Sequence, residues 1–407
     1  MENKAKRNAY LILILIFLIY VVSGSSVALL GSAWPAINVD IGVPISWQSI
    51  IIVTTYVAAT IGAATAQHLL ARFRTWAPAT VGVLIVVAAI FWFSAAHIFV
   101  ILPIAGALIG YIFGVHGAIA NSYVTKHYKA MWISWLHCFF SLGGVLGPAI
   151  ISYFIISSGS WRMGYQAVAS IHAAIFVLLL ISFPLWSVHG PVLPSRKKTE
   201  GSESVVPSDT KTISNSKLIK LPGGKSIPAT MFFYCSFETT FCLWAASYLT
   251  EDKGLSPGVA AAMMAVFFSS QVVSRIITGF LSAKISDRMI VRVAMIVIVL
   301  GIISFYLSSG TFIAISIVIL GISTGPAFPF LIHEVPSIVG NENAQGVIGL
   351  QLAAGNIGVA FIPMLMGFFV ESVGFVAFPV LLLVLIGGAL LIKSFQDSAA
   401  KKRESIQ

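Results

Sequence analysis

Long apolar runs alternate along this chain with brief polar breaks. The runs fall at 9–33, 47–69, 77–96, 98–122, 131–157, 161–186, 227–250, 257–282, 289–309, 311–333, 345–370 and 374–394. A helix that crosses the hydrocarbon of a bilayer needs ~20 mostly apolar residues, and each run is about that long. The pattern therefore predicts an all-α membrane protein with twelve transmembrane helices. One long polar stretch interrupts it, 187–226, rich in Ser, Lys and Pro. Such a segment cannot bury enough apolar surface to fold alone. It is expected to link one six-helix half, 1–186, to a second, 227–407. Two halves around a site near the bilayer midplane is the layout of secondary transporters built from repeats.

Composition supports the bilayer as the main solvent. Of 407 residues, 58% are hydrophobic and only 9% charged, against roughly 25% charged in soluble domains. The formal net charge of +10 would suggest nucleic acid in a soluble protein, but its placement argues otherwise. All the Lys and Arg residues except Arg162, Lys253 and Arg275 fall on the side that holds both termini. Basic residues near helix ends mark the cytoplasmic side, so both termini are expected there, in a plasma or bacterial inner membrane. The three cysteines, Cys138, Cys235 and Cys242, sit inside apolar runs without ligand spacing, which excludes a disulfide or metal framework. The first apolar stretch, 11–30, is too long for a cleavable signal. No nucleophile with a base beside it, metal-ligand set or phosphate loop occurs, so neither an enzyme nor a cofactor is expected. The expected partners are lipid, a small-molecule substrate and a coupled proton, with the chain acting as a monomer.

Small residues at helical spacing let membrane helices approach closely. Gly106, Gly110 and Gly114 in helix 4, Gly143 and Gly147 in helix 5, and Gly355 and Gly358 in helix 11 are expected to do so. Gly143-x-x-x-Gly147-Pro148 also resembles part of the signature of drug/proton antiporters. Pro326 and Pro329 in helix 10 break the backbone ladder, freeing carbonyls that could line a cavity.

Ionisable groups inside a membrane helix are costly and functional by default. Glu238 sits near the middle of helix 7 and Arg275 in helix 8, at nearly matched depths, so they are expected to pair. Tyr234 lies one turn before Glu238, and Gln271 one turn before Arg275. Trp244 continues helix 7 outward. Hydroxyl, amide and carboxylate groups interleaved with aromatic rings suit a sugar, whose CH faces stack while its hydroxyls need partners. Tyr56, His116 and His172 are the candidates from the first half. Glu334 and Glu371 are expected at water-accessible helix ends, and Asp40 and Asp397 in loops or termini. By elimination, Glu238 is left to trade a proton at the midplane.

Several motifs carry a family resemblance. GSAWPAI (31–37), WLHCFFSLGGVLGP (135–148), WRMGY (161–165), FETTFCLW (237–244), SRIITG (274–279), GPAFP (325–329) and GLQLAAGNIGVAFIP (349–363) occur in this order. Together they resemble the fucose permease-like sugar transporters of the major facilitator superfamily. The resemblance implies alternating access, proton-coupled sugar uptake, and Glu238, Arg275, Gln351 and Asn356 as substrate-facing residues. The chain departs from that family in helix 4, where Gly117 beside His116 replaces a carboxylate. Two readings stay open beside uptake: a facilitator or exporter of another solute, and a non-transporting sensor. The lack of a long soluble signalling segment argues against the sensor.

Overall fold

In a computed structural model, the structure describes residues 2–73, 75–128, 131–187, 215–282 and 284–404. Twelve long helices account for most of them. They are α1 (Glu2–Ile41), α2 (Gln48–Arg72), α3 (Trp76–Ser94), α4 (Ile101–His127), α5 (Met131–Ser158) and α6 (Trp161–Ile181), then α7 (Ser226–Glu251), α8 (Pro257–Leu281), α9 (Asp287–Leu307), α10 (Phe312–His333), α11 (Asn341–Val373) and α12 (Ala377–Glu404). Eleven are long and apolar enough to cross a membrane by length and composition. The twelfth, α7, is long enough at 26 residues, or ~39 Å at 1.5 Å per residue. Its hydropathy is diluted by Glu238 and by many hydroxyl and aromatic residues. Of the predicted linker, 188–214 lies outside the described residues. Short helices flank that stretch at Phe183–Ser187 and Asn215–Lys220.

The bundle is lined outside with apolar side chains, as lipid requires. Phe280 is 79% exposed, Leu307 74% and Phe395 69%. Glycines set the close helix contacts inside, as the sequence predicts. A Cβ on Gly143 or Gly24 would strike the facing backbone between α1 and α5, and one on Gly110 or Gly114 the backbone of α2. Gly355 and Gly358 likewise bring α11 against α7. Turns at the far end are tight. Gly159 takes φ +68° and Ser160 caps α6 by accepting from Met163 N at 3.3 Å.

Successive helices run in opposite directions, so both described chain ends lie at one end of the bundle. At the other, far end, the two halves meet. Gln48 Nε2 on α2 donates to Leu243 O on α7 at 2.8 Å. Ser49 Oγ donates to Met364 O on α11 at 3.0 Å, and Ser152 Oγ on α5 to Gly258 O on α8 at 2.8 Å. Ser46 donates to the Glu371 carboxylate. Gly31 lets α1 lie against α7, where a Cβ would stand 2.9 Å from Leu243 Cα.

Three acidic side chains depart from expectation, Asp40, Glu334 and Asp397. Asp40 is in the last turn of α1, paired with Arg162 and accepting from Trp161 Nε1 at 3.1 Å. Glu371 is exposed in the last turn of α11, as expected, and is bonded to Ser46 across the halves. Glu334 is 4% exposed and Asp397, expected in the tail, is 1% exposed. Helix α12 continues past its predicted end at residue 394, which carries Asp397 inward. Lys393 Nζ binds both carboxylates, at 2.8 Å to Glu334 Oε2 and 2.6 Å to Asp397 Oδ1. Arg292 Nη2 reaches Asp397 Oδ2 at 2.6 Å. These groups staple α9, α10 and α12 together at the terminal end.

Candidate functional site

Glu238 lies twelve residues into α7, ~18 Å from its start and close to the middle of the bundle. It is half-buried. Gln271 Nε2 on α8 donates to its Oε1 at 2.7 Å and to Thr324 Oγ1 on α10 at 3.0 Å. Thr324 also anchors Tyr234, whose hydroxyl donates to Thr324 O at 2.9 Å. One amide therefore holds the carboxylate against three helices of the second half. Tyr234, one turn earlier on α7, also acts on the Glu238 carboxylate. Tyr56, on α2 of the first half, is packed against the second half's core and lies within electrostatic reach of Glu238.

Arg275 does not make the expected ion pair with Glu238 in this structure. The two interact electrostatically, but the guanidinium is turned toward α10 and α5. Its Nε donates to Gly325 O at 2.9 Å. Its Nη1 reaches His137 O at 3.2 Å and also donates to Ser141 Oγ, both on α5 of the other half. The reason lies in the GPAFP motif. In a regular helix Gly325 O would accept from residue 329 and Ile322 O from residue 326. Both are prolines and lack the donor. Arg275 takes the first freed carbonyl and Ser274 Oγ the second, at 2.5 Å. The prolines thus fix which way Arg275 points. Gly325 and Gly321 leave α8 room to approach, since a Cβ on Gly325 would stand 2.8 Å from Gln271 O.

The other predicted site residues are placed apart from this cluster. Trp244 is fully buried in the second half, its Nε1 donating to Pro363 O at 2.9 Å. Gln351 is buried with its Nε2 on Leu331 O at 2.9 Å. Asn356 is exposed on α11. His116 is buried between α3 and α4, with Nε2 3.1 Å from Ala79 O. His172 is buried between α6 and α1, with Nε2 2.7 Å from Ser25 Oγ. Thr324 and Ser141 were not singled out from sequence. The paired prolines were the signal for Thr324, whereas nothing local marks Ser141.

Enclosed space near the cluster is small. A cavity of about 30 Å³ lies beyond Tyr56, bordered by Ser26, Thr55, Tyr165 and Leu243. That is room for about one or two waters and too little for a sugar. A smaller void beside His116 lies within the first half. No group of three His, Cys, Asp or Glu residues among the described ones could hold a metal ion.

The sequence matches the family model of the Major Facilitator Superfamily twice, over residues 16–225 and 226–406. The chain belongs to that superfamily. Each match covers six of the twelve long helices. No curated protein matches the sequence. Among solved structures, the fold is similar to that of a bacterial homologue of the human lysosomal transporter Spinster, in an inward-facing and occupied conformation. The identity is 16%, the TM-score 0.65, and the alignment covers 96% of this chain and 95% of that one. Membership makes this chain a multi-pass membrane transporter that works by alternating access.

Proposed function

We propose that the chain carries a small polar solute, a monosaccharide or related hydroxylated metabolite, and couples its movement to protons through Glu238. The observation that carries this reading is the geometry of that carboxylate. It is half-buried at mid-bundle, held on Oε1 by Gln271, and within electrostatic reach of Tyr56 of the opposite half. A group so placed can exchange a substrate donor for a proton as the halves rock. In this reading Glu238, Gln271, Arg275, Tyr234 and Tyr56 form the site. Trp244, Gln351, His116 and His172 brace the helices around it. The fucose permease-like motifs favour a sugar.

The charge asymmetry favours cytoplasmic termini and a place in the plasma or inner membrane, with 1–186 and 227–407 as the moving halves. The far-end contacts then form the outer seal. The test is accumulation in proteoliposomes under a pH gradient, with and without a protonophore. Glu238→Gln is expected to lose accumulation against a gradient and to keep exchange of pre-loaded solute. His116→Ala and His172→Ala are expected to keep both. Wild-type accumulation untouched by the protonophore would sink the coupling. The likeness to a homologue of a lysosomal transporter favours a second reading, export or facilitated passage of another solute.

A further inference from the structure

Arg275 is a cation inside the bundle with no carboxylate bonded to it. Its Nε and Nη1 go to two backbone carbonyls and a hydroxyl, all neutral, and Nη2 takes no partner among the described residues and is not enclosed. The fold shows elsewhere how it treats such charges. Lys393 is clamped by Glu334 and Asp397, and Arg162 is paired with Asp40. A charge held away from water is tolerated when an opposite charge or a rich set of bonds compensates it. At Arg275 the compensating anion is Glu238, held at a distance by Gln271. The pair is thus neutral as a whole, and Arg275 keeps Nη2 without a partner among the described residues.

We propose that the solute is a monoanion, a hydroxylated carboxylate of the sugar-acid class, and that it crosses with one proton in an electrically neutral step. This rests on Glu238 being the proton carrier. The solute's carboxylate binds Arg275 through Nη2, and its hydroxyls bind the Glu238 carboxyl and the Gln271 amide. The charge balance sets the coupling. Arg275 and Glu238 sum to zero before binding, and a monoanion alone would leave the site at −1 beside a like charge. One proton on Glu238 returns the loaded site to zero and turns its carboxyl into a hydrogen-bond donor as well as an acceptor. The other titratable groups facing the pair are Tyr234, Cys235 and Cys242 on α7, Tyr56 on α2, and His137 and Cys138 on α5. Among these none is a carboxylate, so none can replace Glu238 as the counter-charge. From α10 the pair meets Thr324 and Gly325, which carry no charge.

The experiment uses the full-length protein with D-glucuronate, D-gluconate, D-galactose and choline as probes. One of the two acids is expected to raise the melting temperature of the wild type, and galactose and choline are not. Arg275→Gln should weaken that acid at least tenfold, and Arg275→Lys should recover part of it. In proteoliposomes a pH gradient should drive uptake of the acid, and a potential imposed with potassium and valinomycin should leave its rate unchanged. This second measurement needs only the wild type, so it decides even where Arg275→Gln does not fold. Uptake accelerated severalfold by an interior-negative potential overturns the neutral step. Galactose bound equally by wild type and Arg275→Gln, with neither acid bound, overturns the anionic substrate and leaves the proposed function standing. Acid uptake that persists unchanged in a protonophore overturns both.

Discussion

The buried staple at the terminal end of the second half permits a quantitative test. Replacing Lys393 with Met keeps a similar length and removes the charge. Lys393 is wholly buried, and its Nζ is bonded to Glu334 and Asp397 at 2.8 and 2.6 Å. After the change Asp397 retains Arg292 at 2.6 Å. Glu334 loses its bonded cation while its side chain stays 5% exposed. Removing one partner of a buried pair costs about 3–5 kcal/mol because the remaining charge is uncompensated. The lower part of that range is expected here, since Arg288 lies close enough to act on Glu334. Removing both charges, in Lys393→Met with Glu334→Gln, leaves a neutral site and should recover most of the loss. Reversible unfolding in mixed detergent micelles, followed by tryptophan fluorescence, reads all three proteins. The penalty of the single variant should also shrink on acidification, because a proton on Glu334 removes the stranded charge. A single variant within about 1 kcal/mol of wild type refutes the reasoning, since that is the worth of an exposed pair. So does a double variant less stable than the single.

Two further outcomes follow from the backbone and the topology. Ser274→Ala should cost about 1–3 kcal/mol by stranding the Ile322 carbonyl, and the same change should be nearly neutral beside Pro326→Ala, where a restored N–H takes that carbonyl; equal costs in both backgrounds, in the same unfolding assay, would show that the proline does not set the bond. Protease added to the inner face of oriented vesicles should cut within the linker 187–226 and leave two associated fragments, whereas cutting from the outer face would overturn the proposed topology.

The sequence by itself determined the number of long helices and the small-residue contacts. These depend on local quantities. Bilayer thickness sets the length of each apolar run, and a missing Cβ is a property of one residue. It also singled out Glu238, because an acid in mid-helix is conspicuous wherever it is. The tertiary structure decided partners. Glu238 and Arg275 have matched depths in sequence, yet depth leaves the direction of a side chain around the helix axis undefined. Two carbonyls freed by Pro326 and Pro329 drew Ser274 and Arg275 toward α10, and Gln271 took the place beside Glu238. Glu334 and Asp397 look like water-accessible ends along the chain, and Lys393 like part of the basic tail. Their burial follows from where α12 crosses α9 and α10, which no single helix specifies. A charge near a helix end is cheap in water and costly among other helices, and only the packing says which of the two it meets.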